Sequence, residues 1–137
     1  MEKALQERLV SAALHARGHA YAPYSRYAVG AALLTSDGEI YTGANVENAV
    51  YPLGLCAERV AVFKAVSEGH RKFKAIVVAT ENGGAPCGAC RQVLAEFGLD
   101  LAVFVIDAQG TTVLETTLQA LLPAPFGPDD LPEKRTS

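Results

Sequence analysis

Apolar residues near the start of the chain recur with the 3.6-residue period of an amphipathic helix. The pattern runs from Leu5 to Ala20, and Gly18 and then Pro23 weaken and stop it. Glycine weakens a helix and proline removes a backbone hydrogen-bond donor. The pattern therefore predicts a first helix over about residues 2–18.

Apolar runs in the rest of the chain predict five β-strands. They lie at about 27–35, 40–45, 73–80, 101–106 and 111–114. The turn residues at 36–39 connect the first two strands as an antiparallel hairpin. The connection at 107–110 is too short for a parallel crossover of a dozen or more residues, so the last strand also returns antiparallel.

Two segments between these strands have helical patterns. Helices are predicted over residues 56–68 and 87–97, and Gly69 and Gly98 terminate them. Phe63 is expected on the apolar face of the first of these helices. Both cysteine-containing segments of the chain then lie where a helix starts after a loop.

Strands separated by helices indicate an α/β fold. We expect a mixed five-stranded sheet between two layers of helices, a three-layer α/β/α sandwich, with the first hairpin at or near one edge. Thr116 or Thr117 is expected to cap a short helix through Leu122, and the proline-containing tail from about residue 123 to be irregular. With 137 residues, 50% of them hydrophobic, the chain is long enough for one domain over residues 1–137 and too short for two ordinary ones.

Charge and hydropathy exclude some classes of function. The net charge of −3 and pI of about 5.6 come without a basic stripe, which favours a small neutral substrate over a polynucleotide. No run of 18 apolar residues occurs, and charged residues interrupt the N-terminus, unlike a secretory signal. We therefore expect a soluble cytoplasmic protein with no membrane partner.

All three cysteines fall in two short motifs. Cys56 stands two residues before Glu58, and Cys87 and Cys90 follow Pro86 with Cys-x-x-Cys spacing. Three cysteines cannot all pair within one chain, and this spacing in an intracellular protein more often serves metal or redox chemistry than a structural bridge. Three thiolates can hold Zn²⁺ and leave its fourth tetrahedral position open to water, which predicts a catalytic zinc site.

Glu58 is predicted to be the proton acceptor beside a metal-bound water. Residues two apart on a regular helix point to nearly opposite sides, so a shared site requires Cys56 at a non-helical cap position. Cys87 and Cys90, three apart, lie about one turn apart on one helix face. Helix N-termini also favour thiolate over thiol, which prepares the cysteines to bind a metal.

Three thiolates on Zn²⁺ leave one excess negative charge, which weakens the metal's effect on water. Arg59 and Arg91 each adjoin a cysteine motif. We expect at least one of them to donate a hydrogen bond to a cysteine sulfur and withdraw that charge.

Other interpretations of the cysteines stay open on the motif alone. They could form a structural zinc clip, a redox pair, or a catalytically silent zinc-binding scaffold. Such a scaffold would more naturally lack Glu58. His15 and His19 have helical i, i+4 spacing, but no third metal ligand is evident beside them, so surface or packing roles are expected.

The chain resembles the small, homotetrameric cytidine deaminases that act on free nucleosides. The resemblance runs almost end to end, through segments 21–25, 29–33, 45–49, 56–59, 86–92 and 121–123. It implies a cytidine-deaminase-like fold, one Zn²⁺ per subunit, and a cytoplasmic homotetramer with active sites near subunit interfaces. It also implies hydrolytic deamination of cytidine and deoxycytidine in pyrimidine salvage, by attack of zinc-bound hydroxide on cytosine C4. An aminonucleoside-antibiotic deaminase is a second possibility within the superfamily.

The resemblance also implies roles for individual residues. Cys56, Cys87 and Cys90 correspond to the zinc ligands, and Glu58 to the proton shuttle. The implied substrate-binding residues are Asn45, Glu47, Tyr27, Ala57 and Phe126. Within this set, Asn45 and Glu47 match the pair that holds the ribose 3′-hydroxyl. Tyr27 replaces a family phenylalanine that packs against the pyrimidine, and Phe126 resembles an aromatic residue that completes a neighbouring subunit's pocket.

Overall fold

Five strands form one mixed sheet in this computed structural model, which describes residues 1–132. They are β1 (Gly30–Thr35), β2 (Ile40–Ala44), β3 (Phe73–Ala79), β4 (Ala102–Ile106) and β5 (Thr112–Thr117). The order is β2-β1-β3-β4-β5, with β3 and β4 parallel and every other pair antiparallel. The predicted mixed sheet, with its first hairpin at one edge, is confirmed.

Helices cover both faces of the sheet. They are α1 (Lys3–Arg17), α2 (Ala57–Ser67), α3 (Gly88–Ala95) and the short α4 (Leu118–Leu121). One apolar cluster joins α1 to one face, and a second joins α2, α3 and α4 to the other. The three-layer α/β/α sandwich is therefore confirmed. The side-chain oxygen of Thr117 caps α4 by accepting from the backbone of Ala120, at 3.2 Å.

Three of the predicted features differ from the structure. The last strand runs to Thr117 rather than ending near residue 114. The first strand begins at Gly30 rather than Tyr27, because the side chain of Asn45 bonds to the backbone at Tyr27 and Val29 in place of a strand ladder. Phe63 is 46% exposed, so its assignment to the buried face of α2 is wrong. The buried face of α2 consists mainly of alanines, and the larger side chain points outward.

The start of β1 and the ends of β2 and β3 lie together at one end of the sheet. Gly30 at the start of β1 pairs with Ala44 on one side and Ala79 on the other, which are the last residues of β2 and β3. The loop that leads to α2 and the loop that leads to α3 therefore leave the sheet on either side of the start of β1. Both predicted cysteine motifs lie at the ends of these loops, so the topology alone brings them together.

No helix within residues 1–132 is long and apolar enough to cross a membrane. After α4, the described tail contains a 3₁₀ turn at Pro128–Asp130 and is otherwise irregular. The expected irregular tail reaches beyond residue 132, where it lies outside the described residues.

Close packing of α2 on β2 depends on a residue without a side chain. A Cβ added at Gly43 would lie 2.4 Å from the carbonyl oxygen of Ala57 and 2.7 Å from the backbone nitrogen of Ala61. Both atoms belong to the helix backbone and cannot rotate away. Gly43 thus fixes the distance between the sheet and the first turns of α2, which carry Glu58.

We predict that Gly43→Ala lowers the free energy of unfolding by about 1–3 kcal/mol, since a methyl group there overpacks the contact between α2 and the sheet. Urea denaturation of the zinc-loaded protein measures this change. Gly127→Ala is the matched control, because its added Cβ would meet nothing within 4 Å. Equal unfolding midpoints for the two variants would contradict the role of Gly43 in the packing of α2 on the sheet.

Candidate metal centre and active-site cleft

Three cysteine sulfur atoms converge where the two loops meet. Their Sγ atoms all lie within 4.8 Å of one another, with 4.0 Å from Cys56 to Cys87 and 3.3 Å from Cys87 to Cys90. A tetrahedral Zn²⁺ with bonds of 2.3 Å holds its thiolates about 3.8 Å apart. The three sulfurs therefore fit a zinc ion with little movement, and as a three-thiolate set they leave one coordination position free.

The helix starts give the cysteines this geometry. Cys56 is the N-cap residue of α2, with extended backbone angles of φ −74° and ψ 154°, and Cys87 is the N-cap of α3 with φ −69° and ψ 166°. Neither sulfur caps its own helix. Because Cys56 is not helical, its side chain need not point away from that of Glu58. The two-residue spacing is therefore compatible with a shared site.

The electrostatics of the cluster favour at least one thiolate. A hydrogen bond with Cys90, together with Arg59, lowers the pKa of Cys56 to about 5, despite the opposing effect of burial. The same interaction with Cys56 raises the pKa of Cys90. Thiolate is the form in which cysteine binds a metal, so the lowered pKa prepares Cys56 as a ligand.

Glu58 lies in the first turn of α2 and is only 4% exposed. Burial raises the pKa of its carboxyl group, and the negative charge of Cys56 adds to that effect. A buried carboxyl group next to a metal site is equipped to accept a proton and return it. It lines the same cleft as Cys56 and Cys87.

The two arginines beside the cysteines have different partners. Arg59 donates from Nη2 to the sulfur of Cys56 at 3.4 Å. Arg91 instead donates to two backbone oxygens, of Pro86 at 2.9 Å and of Leu121 at 3.0 Å. Arg59 is therefore placed to compensate thiolate charge, whereas Arg91 ties the start of α3 to the end of α4.

Asn45 is 9% exposed and holds the chain before β1. Its Oδ1 accepts from the backbone of Val29 at 2.9 Å, and its Nδ2 donates to the carbonyl oxygen of Tyr27 at 2.8 Å. One amide hydrogen of Nδ2 is left for another acceptor. Asn45 thus shapes this side of the cleft whether or not it also contacts a ligand.

Glu47 is tied to the same segment. Its Oε1 accepts from the backbone nitrogens of Tyr24 at 2.9 Å and Ser25 at 3.1 Å, and the hydroxyl of Ser25 donates to Oε2. The Ser25 hydroxyl is also the main cause of the lowered pKa of this carboxyl group. An ionised carboxylate has about four acceptor positions, so capacity remains for a ligand hydroxyl.

Most of the predicted site residues line one cleft of 290 Å³. Those that line it are Tyr27, Asn45, Glu47, Cys56, Ala57, Glu58 and Cys87. A second cavity of 450 Å³ shares Asn45, Glu47 and Cys56 with it and is bounded on the outside by Tyr24 and Tyr51. Together they extend from the cysteine cluster to the surface.

Phe126 does not reach this cleft in its own chain. Its side chain is 61% exposed and borders a separate cavity, and its carbonyl oxygen accepts from Nε2 of Gln92 at 2.6 Å. Any contact between Phe126 and a substrate requires a second copy of the chain.

Sequence reasoning overlooked two polar side chains that line the cleft, Ser25 and Thr80. Ser25 bonds to Glu47, as described above, and Thr80 accepts at Oγ1 from the backbone nitrogens of Gly83 at 2.7 Å and Gly84 at 2.8 Å. Thr80 is 3% exposed and directly follows β3. A polar residue at the end of a buried strand, before a Gly-Gly pair, was the available signal.

Comparison with known proteins gives this site a family. The family described as "Cytidine and deoxycytidylate deaminase zinc-binding region" matches residues 3–106. A cytidine deaminase of Sporosarcina psychrophila is 49% identical over 128 residues, which cover 91% of this chain and 93% of that protein.

Solved structures agree with the sequence comparison. The crystal structure of cytidine deaminase from Burkholderia pseudomallei has a TM-score of 0.83 and 48% identity, covering 92% of this chain and 100% of that one. The cytidine deaminase of Mycobacterium tuberculosis gives a TM-score of 0.78 and 42% identity, covering 88% and 96%. With its three converging cysteines and buried glutamate, the chain belongs to the zinc-dependent cytidine and deoxycytidylate deaminase family.

Proposed function

We propose that this protein hydrolyses cytidine and deoxycytidine to uridine and deoxyuridine with release of ammonia. In this reaction a C4–O bond forms, the bond from C4 to the exocyclic nitrogen breaks, and water supplies the oxygen. The observation that carries the proposal is the shared cleft, in which Glu58 lies beside a three-cysteine cluster with room for one more ligand.

Cys56, Cys87 and Cys90 would hold the zinc ion. Zinc bound in such a site acts as a Lewis acid and lowers the pKa of water. Arg59 donates to Cys56 and offsets the excess negative charge of three thiolates. In this role Arg59 supports the ligands without contacting the substrate.

Glu58 is the proposed proton shuttle. Its carboxylate takes a proton from the attacking water and passes it to the pyrimidine ring nitrogen, then takes the second proton from the hydroxyl group on C4 and gives it to the leaving amine. One carboxylate thus acts first as base and then as acid. Burial at 4% exposure raises the pKa of this carboxyl group, which favours its holding a proton between the two transfers.

The polar wall of the cleft suits a sugar. We propose that Nδ2 of Asn45 and the carboxylate of Glu47 bind the ribose 3′-hydroxyl with the capacity that their internal hydrogen bonds leave over. The ring of Tyr27 and the backbone at Ala57 would flank the pyrimidine. A cleft of 290 Å³ that opens into one of 450 Å³ fits a nucleoside rather than a polynucleotide.

Glu58→Gln tests the reaction most simply. We predict that kcat for cytidine falls by about 10²–10⁴-fold, because the amide cannot accept the proton, while the zinc content stays at one per chain. Ammonia release and metal analysis measure the two quantities. Glu68→Gln, exposed at the other end of α2, is the matched control and should keep wild-type kcat.

The same assay separates the alternatives. A catalytically silent zinc scaffold would release no ammonia from cytidine or deoxycytidine when loaded with zinc, and this result would reject the proposal. An antibiotic deaminase would turn over an aminonucleoside antibiotic in preference to cytidine. Equal activity of the Glu58→Gln protein would remove the shuttle role while leaving the substrate assignment intact.

The surroundings of the cleft also support self-association. Several large apolar side chains are exposed beside it, among them Val50 at 57%, Tyr51 at 74% and Leu53 at 67%. An apolar patch of this kind marks an interface, and a homotetramer would bury it near the active sites. We place this assembly in the cytoplasm, where a reducing environment keeps the cysteines available as thiolates.

Sedimentation equilibrium at working concentration tests the assembly. The expected mass is that of four 14.4 kDa chains. A monomer at that concentration would reject the tetramer, and with it any contact of Phe126 with a neighbour's substrate. Tyr51→Ser is predicted to shift the mass towards smaller species, since it removes an exposed aromatic side chain from the patch.

A further inference from the structure

Tyr27 has a hydrogen-bond partner in the loop that contributes Gly84 to the lining of the cleft. Its hydroxyl donates to Oδ1 of Asn82 at 2.7 Å. Asn82 lies 55 residues further along the chain, in the loop between β3 and α3. The bond therefore connects the segment before β1 with the loop that leads to Cys87.

The backbone of Tyr27 is fixed as well. Its carbonyl oxygen accepts from Asn45, and its nitrogen donates to Oγ of Ser25 at 3.1 Å. Arg26, immediately before it, has φ 59°, a left-handed conformation that is uncommon for a residue with a side chain. With its backbone held on both sides, the remaining freedom of Tyr27 is the orientation of its ring.

The loop that carries Asn82 is itself anchored. The backbone nitrogens of Gly83 and Gly84 both donate to Oγ1 of Thr80. Gly83 has φ +81°, and a Cβ there would lie 2.3 Å from Cγ2 of Val113, so β5 closes the other side. The bond from Tyr27 thus reaches a partner whose position is already set.

Gly84 makes room for the extra oxygen. A Cβ at this position would lie 2.6 Å from the hydroxyl oxygen of Tyr27 but 3.7 Å from Cζ of its ring. A phenylalanine would therefore tolerate an alanine here, whereas the tyrosine would have to move its hydroxyl. The hydroxyl of Tyr27, Asn82 and Gly84 form one matched set, which we name the tyrosine lock.

We propose that Asn82 is a positioning residue that sets the ring of Tyr27 in the cleft, so that the tyrosine lock determines how tightly a pyrimidine nucleoside is bound. This inference rests on the proposed function for its substrate. It assigns a purpose to the hydroxyl that distinguishes Tyr27 from a phenylalanine, and it links the ring to the loop that ends at Cys87.

A set of variants tests the hydrogen bond through the kinetics. Tyr27→Phe and Asn82→Ala are each expected to raise KM for cytidine about three- to tenfold, and to change kcat by less, because each removes the same bond. The double variant should be no worse than either single variant. Asn82→Asp keeps an acceptor oxygen at the same position and should restore KM towards the wild-type value.

Unchanged KM in Tyr27→Phe and Asn82→Ala would overturn the inference. So would effects that multiply in the double variant, because independent contributions show no coupling. A larger loss in kcat than in affinity, accompanied by zinc loss, would assign Asn82 to the metal loop rather than to the ring.

Gly84→Ala provides a second readout that needs no turnover. In the native background we expect it to lower the thermal unfolding midpoint by several degrees, because its Cβ displaces the Tyr27 hydroxyl. In the Tyr27→Phe background the same change should be nearly neutral. Equal destabilisation in both backgrounds would contradict the geometry of the tyrosine lock.

The two readouts separate this inference from the proposed function. If zinc-loaded wild-type protein releases no ammonia from cytidine, the substrate assignment fails, and the unfolding experiment still tests the tyrosine lock. If wild-type protein deaminates cytidine and the variants show neither coupling nor rescue, the inference alone fails.

Discussion

The site depends on one constraint: the N-termini of two helices meet at the same end of the sheet. Because β2 and β3 end on either side of the start of β1, α2 and α3 begin near the same end of the sheet. Cys56 and Cys87 cap these helices with extended backbone, and Cys90 follows one turn later. Three sulfurs therefore come within 4.8 Å of one another without any long-range loop having to fold over them.

Charge explains much of what surrounds the cysteines. Three thiolates exceed the charge of one Zn²⁺, and the helix N-termini and Arg59 supply compensating positive potential on the side of Cys56. At Glu58 burial outweighs the opposing effect of Arg59 and raises the pKa of the carboxyl group. The structure thus favours the thiolate form of Cys56 and the protonated form of its proton carrier, Glu58.

Local patterns predicted the elements well, since the apolar periods are strong and each turn carries its own chemistry. The edge hairpin, the cap at Thr117 and the three-layer arrangement were all available from the sequence. Phe63 was misplaced because α2 packs on the sheet through small residues against Gly43, and a rule that buries the largest apolar side chain fails there. The start of β1 was misplaced because Asn45 takes the backbone bonds that a longer strand would have used.

For the site, too, the sequence predicted some residues and missed others. Residue type and spacing indicated the cysteines and Glu58, because few other residues perform that chemistry. The sequence could not predict contacts between distant segments, such as those that join Ser25 to Glu47 and Tyr27 to Asn82. Neither partner in these pairs has a local signature.

X-ray absorption spectroscopy of the zinc-loaded protein tests the central claim most directly. The account predicts three sulfur neighbours at about 2.3 Å and a single lighter oxygen neighbour at about 2.0–2.2 Å, which is the open position where water binds. Four sulfur neighbours, or a coordination shell with fewer than three, would contradict a catalytic centre built from Cys56, Cys87 and Cys90.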